Sequence, residues 1–597
     1  MHLVKKLAPS ALLLQAQLSL AAYHWPSPQY DALETFMYEG QRGDGSNLAS
    51  LVHPCRKRSG TNASVPAQWL RLAFHDIATY NNDNGTGGLD GSIVYELGRE
   101  ENLSIGFNQS LTDFEAFPNK YVSRADLIAL GAIFSVATCQ GPTIPFRGGR
   151  IDAWTAGDFG TPLPQDDITT LTDSFKRMGF SPSDMVGLIA CGHSIGGVTS
   201  ADEPDIVPPG NDPSKPTIVD FDSTGNFDNK VVTEYLDGST QNPLVVTSNQ
   251  TLASDLKIFI SDANQTIRSF ADPNQYNSQC QTLLERMINT VAHGVSLTDE
   301  ITMIPAKVHD VQLTIERNQL VFKSSLRLPQ PMGQKLNTQR TVTMFWCDRY
   351  GDSADCQGNT KSAQSVKTTQ DDPNNSPITF NMGLFFVHYH FVVPIDSKVS
   401  ISKFWFEVDE HNGTSAAVYN NGGDDYVVQQ DQVILVPTLS SSVMRSNGSY
   451  TQTYTNRVGE FFTKVYNITV AVREGSNPSR VYATAYDSAV ANFTYAVNTT
   501  FDFTRNSSMS PVGGYEFYSG SVEDSGHQMT LDTFADVDGT TYTDDFRQTT
   551  FLDNSPYNAP SDVATKTSTS SSPISFVISA PSLIFGLLLI LLPLHVL

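Results

Sequence analysis

Two histidine neighbourhoods in this chain could do chemistry. Arg71 and His75 stand four residues apart in "RLAFHD" (71–76), a spacing that places both on one helical face. A cation beside an imidazole suits proton transfer next to developing negative charge: the ring takes or returns a proton, and the guanidinium stabilises an oxygen anion. The stretch then runs into Gly, Asp and Ser in "GGLDGSI" (87–93), a loop with the oxygen groups a hard cation takes. The second neighbourhood is "ACGHSIGG" (190–197), where His193 ends a helical pattern among glycines and leaves room for a flat ligand over the ring. Each has a plainer explanation alone: a solvated helix face, an Asp/Gly turn, a satisfied core histidine.

The elements that position these residues divide the chain in two. Residues 30 to about 295 read as mostly helical, with apolar residues at three- and four-residue steps in 123–138 and 182–190 and a short helix over 281–292. Ser123 and Ser183 are N-cap candidates. From about 300 to 550, alternating runs at 307–316, 319–328, 464–472 and 480–497 predict half-buried antiparallel strands, in one sandwich-like domain or a pair. No cluster of His, Cys or paired carboxylates marks a site in that half.

The 597 residues suggest two to four domains, and 40% hydrophobic content permits real cores. A net charge of −24 argues against nucleic acid and anionic membrane surfaces as partners. Residues 1–22 read as a secretory signal, with Lys5 and Lys6 before an apolar core and a small-residue cleavage site. Residues 551–572 form a Ser/Thr-rich spacer, and the apolar stretch 573–597 has no basic residue after it; together they predict a GPI-attachment signal, with a transmembrane anchor as the alternative. Sequons at Asn62, Asn108, Asn249, Asn412, Asn447, Asn467, Asn492 and Asn498 agree with export to the cell surface. The six cysteines permit full pairing, and spacing alone favours Cys347 with Cys356.

In series, "RLAFHD" (71–76), "GGLDGSI" (87–93), "YELGREEN" (95–102), "ACGHSIGG" (190–197), "DFDSTGNFD" (220–228) and "SDLKIF" (254–259) resemble the haem peroxidases of plants, fungi and bacteria, in family order over roughly residues 40–290. "GTGG" (85–88) is similar to the intracellular branch; "DGSI" (90–93), the cysteines and the signal are similar to the secreted fungal branch. The resemblance implies a mainly α haem-peroxidase fold for residues 23–298, followed by the β-rich region 299–550 of unassigned role.

It also implies roles. His75 would be the general base toward hydrogen peroxide, Arg71 would stabilise charge on the departing oxygen, and Phe74 would wall the haem b pocket. Asn102 would bond the far nitrogen of His75, fixing its tautomer and lowering its basicity, with the Glu96 carboxylate in support. The Asn102 sequon must then be unused. His193 would ligate iron and Asp255 would accept its proton. Asp76, Gly88, Asp90 and Ser92 would form a calcium site, and Ser194, Asp222, Thr224 and Asp228 a second one whose spacing departs from the secreted pattern by about one residue. Cys55 and Cys139 match a disulfide of the fungal branch; Cys191 and Cys280 have no such match and could pair. Trp154 reads as a solvent-shielded aromatic rather than an electron relay.

The expected function is a surface-anchored peroxidase that reduces hydrogen peroxide and oxidises an unidentified donor by one-electron steps. A wall or glycan contact through the β-rich region is a further expectation. The alternative is a non-enzymatic surface protein that keeps the scaffold.

Overall fold

The computed structural model describes residues 23–549 apart from 42–46, 213–214, 374, 452–457, 488–495 and 525–528. The expected signal, the spacer and the apolar tail lie outside the described residues, among which no helix is long and apolar enough to cross a membrane.

Capping residues set the helix boundaries. Helix α1 (Pro28–Glu34) continues into a wide turn, Thr35–Glu39. In α2 (Val65–Ile77) the Ser64 side chain accepts from the Ala67 amide, and Val65, Trp69, Leu72, Ala73 and Ile77 are buried. Helix α3 (Arg124–Thr138) starts at the expected cap Ser123 and is buried all round: residues 127–134 are uninterruptedly apolar, and Asp126 in its first turn pairs with Arg150 at 3.0 Å. Helix α4 (Pro182–Gly192) is capped by Ser181 in a reciprocal box with Asp184, not by Ser183: Pro182 takes the first helical position, so the cap falls just before it. Short α5 (Ser254–Phe259) carries Asp255. Helix α6 (Pro273–Ile288) starts well before the expected Gln281, because Asp272 and Pro273 supply cap and first turn.

Within the helical half, strands β1 (Gly197–Thr199) and β2 (Ile218–Asp220) pair antiparallel. A Cβ on Gly197 would run into the Val219 carbonyl, so this close approach needs glycine.

The β-rich half is a pair of sandwiches. In the first, one sheet holds β3 (Lys307–Glu316), β4 (Gln319–Pro331), β7 (Lys367–Gln370) and β8 (Leu384–Pro394) in the order β3-β4-β8-β7; it faces a sheet built on β5 (Thr341–Cys347), β6 (Lys361–Gln364) and β9 (Lys403–Asp409). Leu326, Val387 and Phe391 meet Met344, Phe404 and Phe406 in its core. In the second, Val458–Arg473 and Tyr515–Asp524 lie in one sheet and Arg480–Asp487 and Met529–Val537 in the other, around Ile468, Val470, Ala483 and Leu531. The run expected over 480–497 is two strands, Arg480–Asp487 and Val497–Asp502; residues 488–495 lie outside the described ones.

The two halves are joined by more than residue 298. Trp25 packs edge-on against Phe404 and Tyr426 in the first sandwich core. Glu34 of α1, 0% exposed, accepts from Arg327 at 2.6 and 3.0 Å and from Lys307 at 2.7 Å. Burial pushes its pKa up, but Arg327 and Lys307 prevail and hold it below the usual carboxylate value. Removing one partner of such a buried group costs about 3–5 kcal/mol.

Cys55–Cys139, Cys191–Cys280 and Cys347–Cys356 are all paired. The second ties the end of α4, two residues before His193, to α6.

Candidate active site

Helix α2 turns His75 inward. The residue is 7% exposed, and its Nδ1 lies 2.8 Å from Asn102 Oδ1. The far end of the Asn102 amide settles its orientation: Nδ2 donates to the Glu96 carbonyl at 3.3 Å. Oδ1 is therefore the acceptor, the His75 proton sits on Nδ1, and Nε2 keeps a lone pair.

Burial, then Arg71, push the His75 pKa down to about 3, while the Asn102 bond acts in the opposite direction. That corrects the expectation that Asn102 lowers the basicity: it sets the tautomer, and desolvation lowers the pKa. Glu96 also acts differently from expectation. It serves Asn102 through its backbone carbonyl, while its carboxylate accepts from the Gly157 amide at 2.7 Å and lies 3.5 Å from Arg99. Asn102 is 1% exposed, which leaves no room for a glycan.

Arg71 shares the helix face with His75 but not its burial. Its side chain is 41% exposed and donates to Asp202 Oδ2 at 3.0 Å and to Ser104 Oγ at 3.3 Å. Phe107 stands between the two groups, with its ring 4.6 Å from the His75 ring and 4.9 Å beneath the guanidinium. Phe74 forms a second wall, 6.2 Å from His75 and 5.9 Å from Phe175.

His193 closes α4, donating its amide to the Ile189 carbonyl at 2.9 Å. Its Nδ1 lies 2.8 Å from Asp255 Oδ2, which also accepts from Asn242 Nδ2 at 2.8 Å. Asp255 is 0% exposed, and a carboxylate only accepts, so the His193 proton sits on Nδ1 and Nε2 carries the lone pair. Phe221, at the end of β2, stacks on the ring at 4.3 Å and 11°. A side chain at Gly192 would meet nothing within 4 Å. A half-buried imidazole with its lone pair directed to Nε2, beside open space, fits the ligand of a flat iron cofactor.

The sequence reading missed Phe107, Phe221, Asp202, Ser104 and Asn242. Phe107, in the helix Ile105–Phe114, and Phe221, just past β2, had a weak signal as apolar residues among polar neighbours; the others had none.

The two loops expected to hold cations differ. In the first, Asp76 accepts three amides: Asp90 at 3.0 Å and Gly91 at 2.7 Å on Oδ2, and Ile93 at 2.9 Å on Oδ1. The protein itself thus ties this loop to α2, and what remains is Asp90 and the buried, unpartnered Ser92 Oγ. Burial and Asp90 raise the Asp76 pKa well above the usual value. In the second, Asp222 keeps a buried oxygen, Oδ2, without a partner, and Thr224 Oγ1 lies 3.2 Å from both Asp222 and Asp228. Burial, with Asp228 nearby, pushes the Asp222 pKa up to about 7. Ser194 Oγ is turned to the Cys191 carbonyl at 2.9 Å. The orphaned carboxylate oxygen makes the second loop the better fit to a cation. Trp154 is 68% exposed rather than shielded, because it sits in an irregular stretch with no helix to cover it.

Residues 52–272 match the family model described as Peroxidase. A "WSC domain-containing protein" of Arthroderma benhamiae is 36% identical over 408 residues, 67% of this chain and 54% of that protein. The chain thus spans about half the length of that relative, and an alignment this long runs beyond the matched peroxidase segment. "L-ascorbate peroxidase 5, peroxisomal" of Arabidopsis thaliana is 32% identical over 34% of this chain and 71% of the relative. "Cytochrome c peroxidase, mitochondrial" of Cryptococcus neoformans var. neoformans serotype D is 32% identical over 24% of this chain and 40% of the relative. With two oppositely supported histidines inside the matched segment, this chain belongs to the haem peroxidase superfamily.

Proposed function

We propose that the protein is a secreted, surface-anchored haem peroxidase that reduces hydrogen peroxide and oxidises an unidentified donor one electron at a time. The observation that carries this reading is the contrast in support: His75 on the neutral Asn102 amide, His193 on the buried Asp255 carboxylate. His193 Nε2 would hold iron. Haem b, when bound, would supply the redox chemistry, accepting oxidising equivalents from peroxide and passing them to the donor.

The chain's own residues supply the proton handling. Neutral His75 takes a proton from hydrogen peroxide at Nε2 and returns it to the departing oxygen, which leaves as water. Asn102 keeps the Nδ1 proton in place during both transfers. Arg71 leaves Asp202 and brings its charge toward the departing oxygen; its exposed position gives the side chain freedom to swing. Phe107 and Phe74 keep water from the His75 ring.

Residues 1–22, the paired cysteines and the exposed sequon asparagines Asn249, Asn412, Asn467 and Asn498 support export. The spacer and tail support a GPI anchor. Calcium is proposed at Asp222, Thr224 and Asp228, with Ser194 turning to join them, and a second ion at Asp90, Ser92, Gly88 and Asp76.

The test is an absorption spectrum and a dye-oxidation assay on the purified ectodomain. A histidyl-haem Soret band with peroxide-dependent oxidation is expected; haem binding without turnover would favour the non-enzymatic alternative. Release from cells by phosphatidylinositol-specific phospholipase C tests the anchor.

A further inference from the structure

The β3-β4-β8-β7 sheet has one apolar face, turned to the sandwich core, and one polar face turned to α1 and the turn after it. Strand alternation puts Lys307 and His309, Ser325 and Arg327, and His388 and His390 on the polar face. A bulge in β3 between His309 and Gln312, with Asp310 at φ +54°, sets the direction of His309. Glu39, 3% exposed, and Asp371, just past β7, close over this layer. The sequence reading saw no such cluster, because its members lie as far apart as residues 39 and 388.

Three observations point to a missing occupant. One oxygen or ring nitrogen each from Glu39, Asp371 and His388 lies within 4.8 Å of the others. His309 Nε2 is buried 2.9 Å from Glu39 Oε1, an ion pair when the ring is protonated, but makes no aligned hydrogen bond to it or to another group. Ser325, 1% exposed and in register between His309 and His390, has an unpartnered hydroxyl. Charge agrees: Arg327 and Lys307 pair with Glu34 and Arg327 also with Glu39, while the other ion-pair contacts of Glu39 and Asp371 are to His309 and His388, so negative charge is left over when the histidines are neutral.

We propose that Glu39, Asp371 and His388, with His309 as fourth donor, bind a divalent transition-metal ion of the zinc class at the seam between the helical half and the first sandwich. Mixed imidazole and carboxylate donors suit zinc and its neighbours rather than calcium, which takes oxygen alone. Ligands of one tetrahedral ion lie about 3.5 Å apart, so modest side-chain rotation closes the cluster. Glu39 Oε1 accepts from Arg327 at 2.6 Å, so Oε2 would be the oxygen given to the ion. With four protein donors the site is closed and structural, and it braces residue 39 against strands far along the chain.

The test uses the full ectodomain, stripped with chelator and dialysed against zinc with excess calcium. Elemental analysis should find one zinc per chain, and zinc-edge X-ray absorption should find nitrogen and oxygen neighbours at about 2.0–2.2 Å. Asp371→Asn and His388→Gln should each lower zinc at least tenfold. Asp371 is half-buried at a strand end, and its amide variant conserves shape, so an unchanged Soret band certifies its fold. Less than a tenth of an equivalent of zinc in the parent protein overturns the proposal. So does zinc that persists undiminished in Asp371→Asn, since exposed pairs such as His24–Asp424 would then hold it.

Discussion

The two faces of the candidate site set the same side chain in opposite surroundings. His75 is buried, rests on a neutral amide and has its pKa pushed down to about 3. His193 is more open and rests on a buried carboxylate shared with Asn242. In both rings the proton is held on Nδ1 and Nε2 is free, so the tautomer is common. What differs is the charge of the partner. An amide holds the tautomer without adding charge, so burial and Arg71 leave the ring a weak base that could take a proton and give it back; a carboxylate would enrich the ring as a lasting ligand to iron.

The comparison is broken hardest on the ligand side. His193→Ala should abolish stable haem binding and all turnover, read as loss of the Soret band in folded protein; a normal histidyl-haem spectrum would show that another residue holds the iron. His75→Leu should keep haem but slow the reaction with peroxide by about 10²–10⁴-fold, the usual worth of a positioned base. Stopped-flow mixing with peroxide measures it, and a rate within tenfold of the parent would assign the base elsewhere.

Asp255→Asn should retain haem and lose about 10–100-fold in activity or iron affinity, as outer partners of metal ligands do. The iron-to-His193 vibration in the Raman spectrum should fall to lower frequency; an unchanged frequency would mean that Asp255 does not tune the ligand.

The finest cut makes the distal side resemble the proximal one. Asn102→Asp gives His75 a carboxylate partner and should raise its pKa by about 1–3 units. The parent ring is neutral above about pH 3, so its peroxide reaction should hold nearly flat down to mildly acidic pH. The variant should lose rate at higher pH, because more of its His75 is already protonated. Stability has the same origin: between the unfolded value near 6.5 and the folded value near 3, only the unfolded chain takes up this proton, so His75 destabilises the fold as pH falls through that window. Coincident acid limbs in parent and variant would remove Asn102 from the account.

Much of this was legible because it is local. The His75 and Arg71 spacing states a shared helix face, and Ser123 and the Cys347–Cys356 spacing state a cap and a loop closure. The Ser183 assignment failed because proline competes for the first helical turn. The fate of Arg71 was not legible at all. A helix face fixes direction at the Cα, but a long flexible side chain goes to the carboxylate that tertiary packing supplies, here Asp202.

By itself the sequence determined the helical and β halves, the order of the motifs and the choice of the two histidines as candidates, since periodicity, capping and residue chemistry act over a few residues. Only the tertiary structure decided which groups support them. Asp255 reaches His193 because α5 packs beside α4, and Phe107 reaches His75 across a turn. The polar seam between Glu39 and His388 exists because α1 and the turn after it lie against the polar face of the β3-β4-β8-β7 sheet, where buried charges must be paired. Contacts between residues far apart in the chain depend on how layers stack, and the pattern along one strand or helix records the face it buries, not the element that will lie against it.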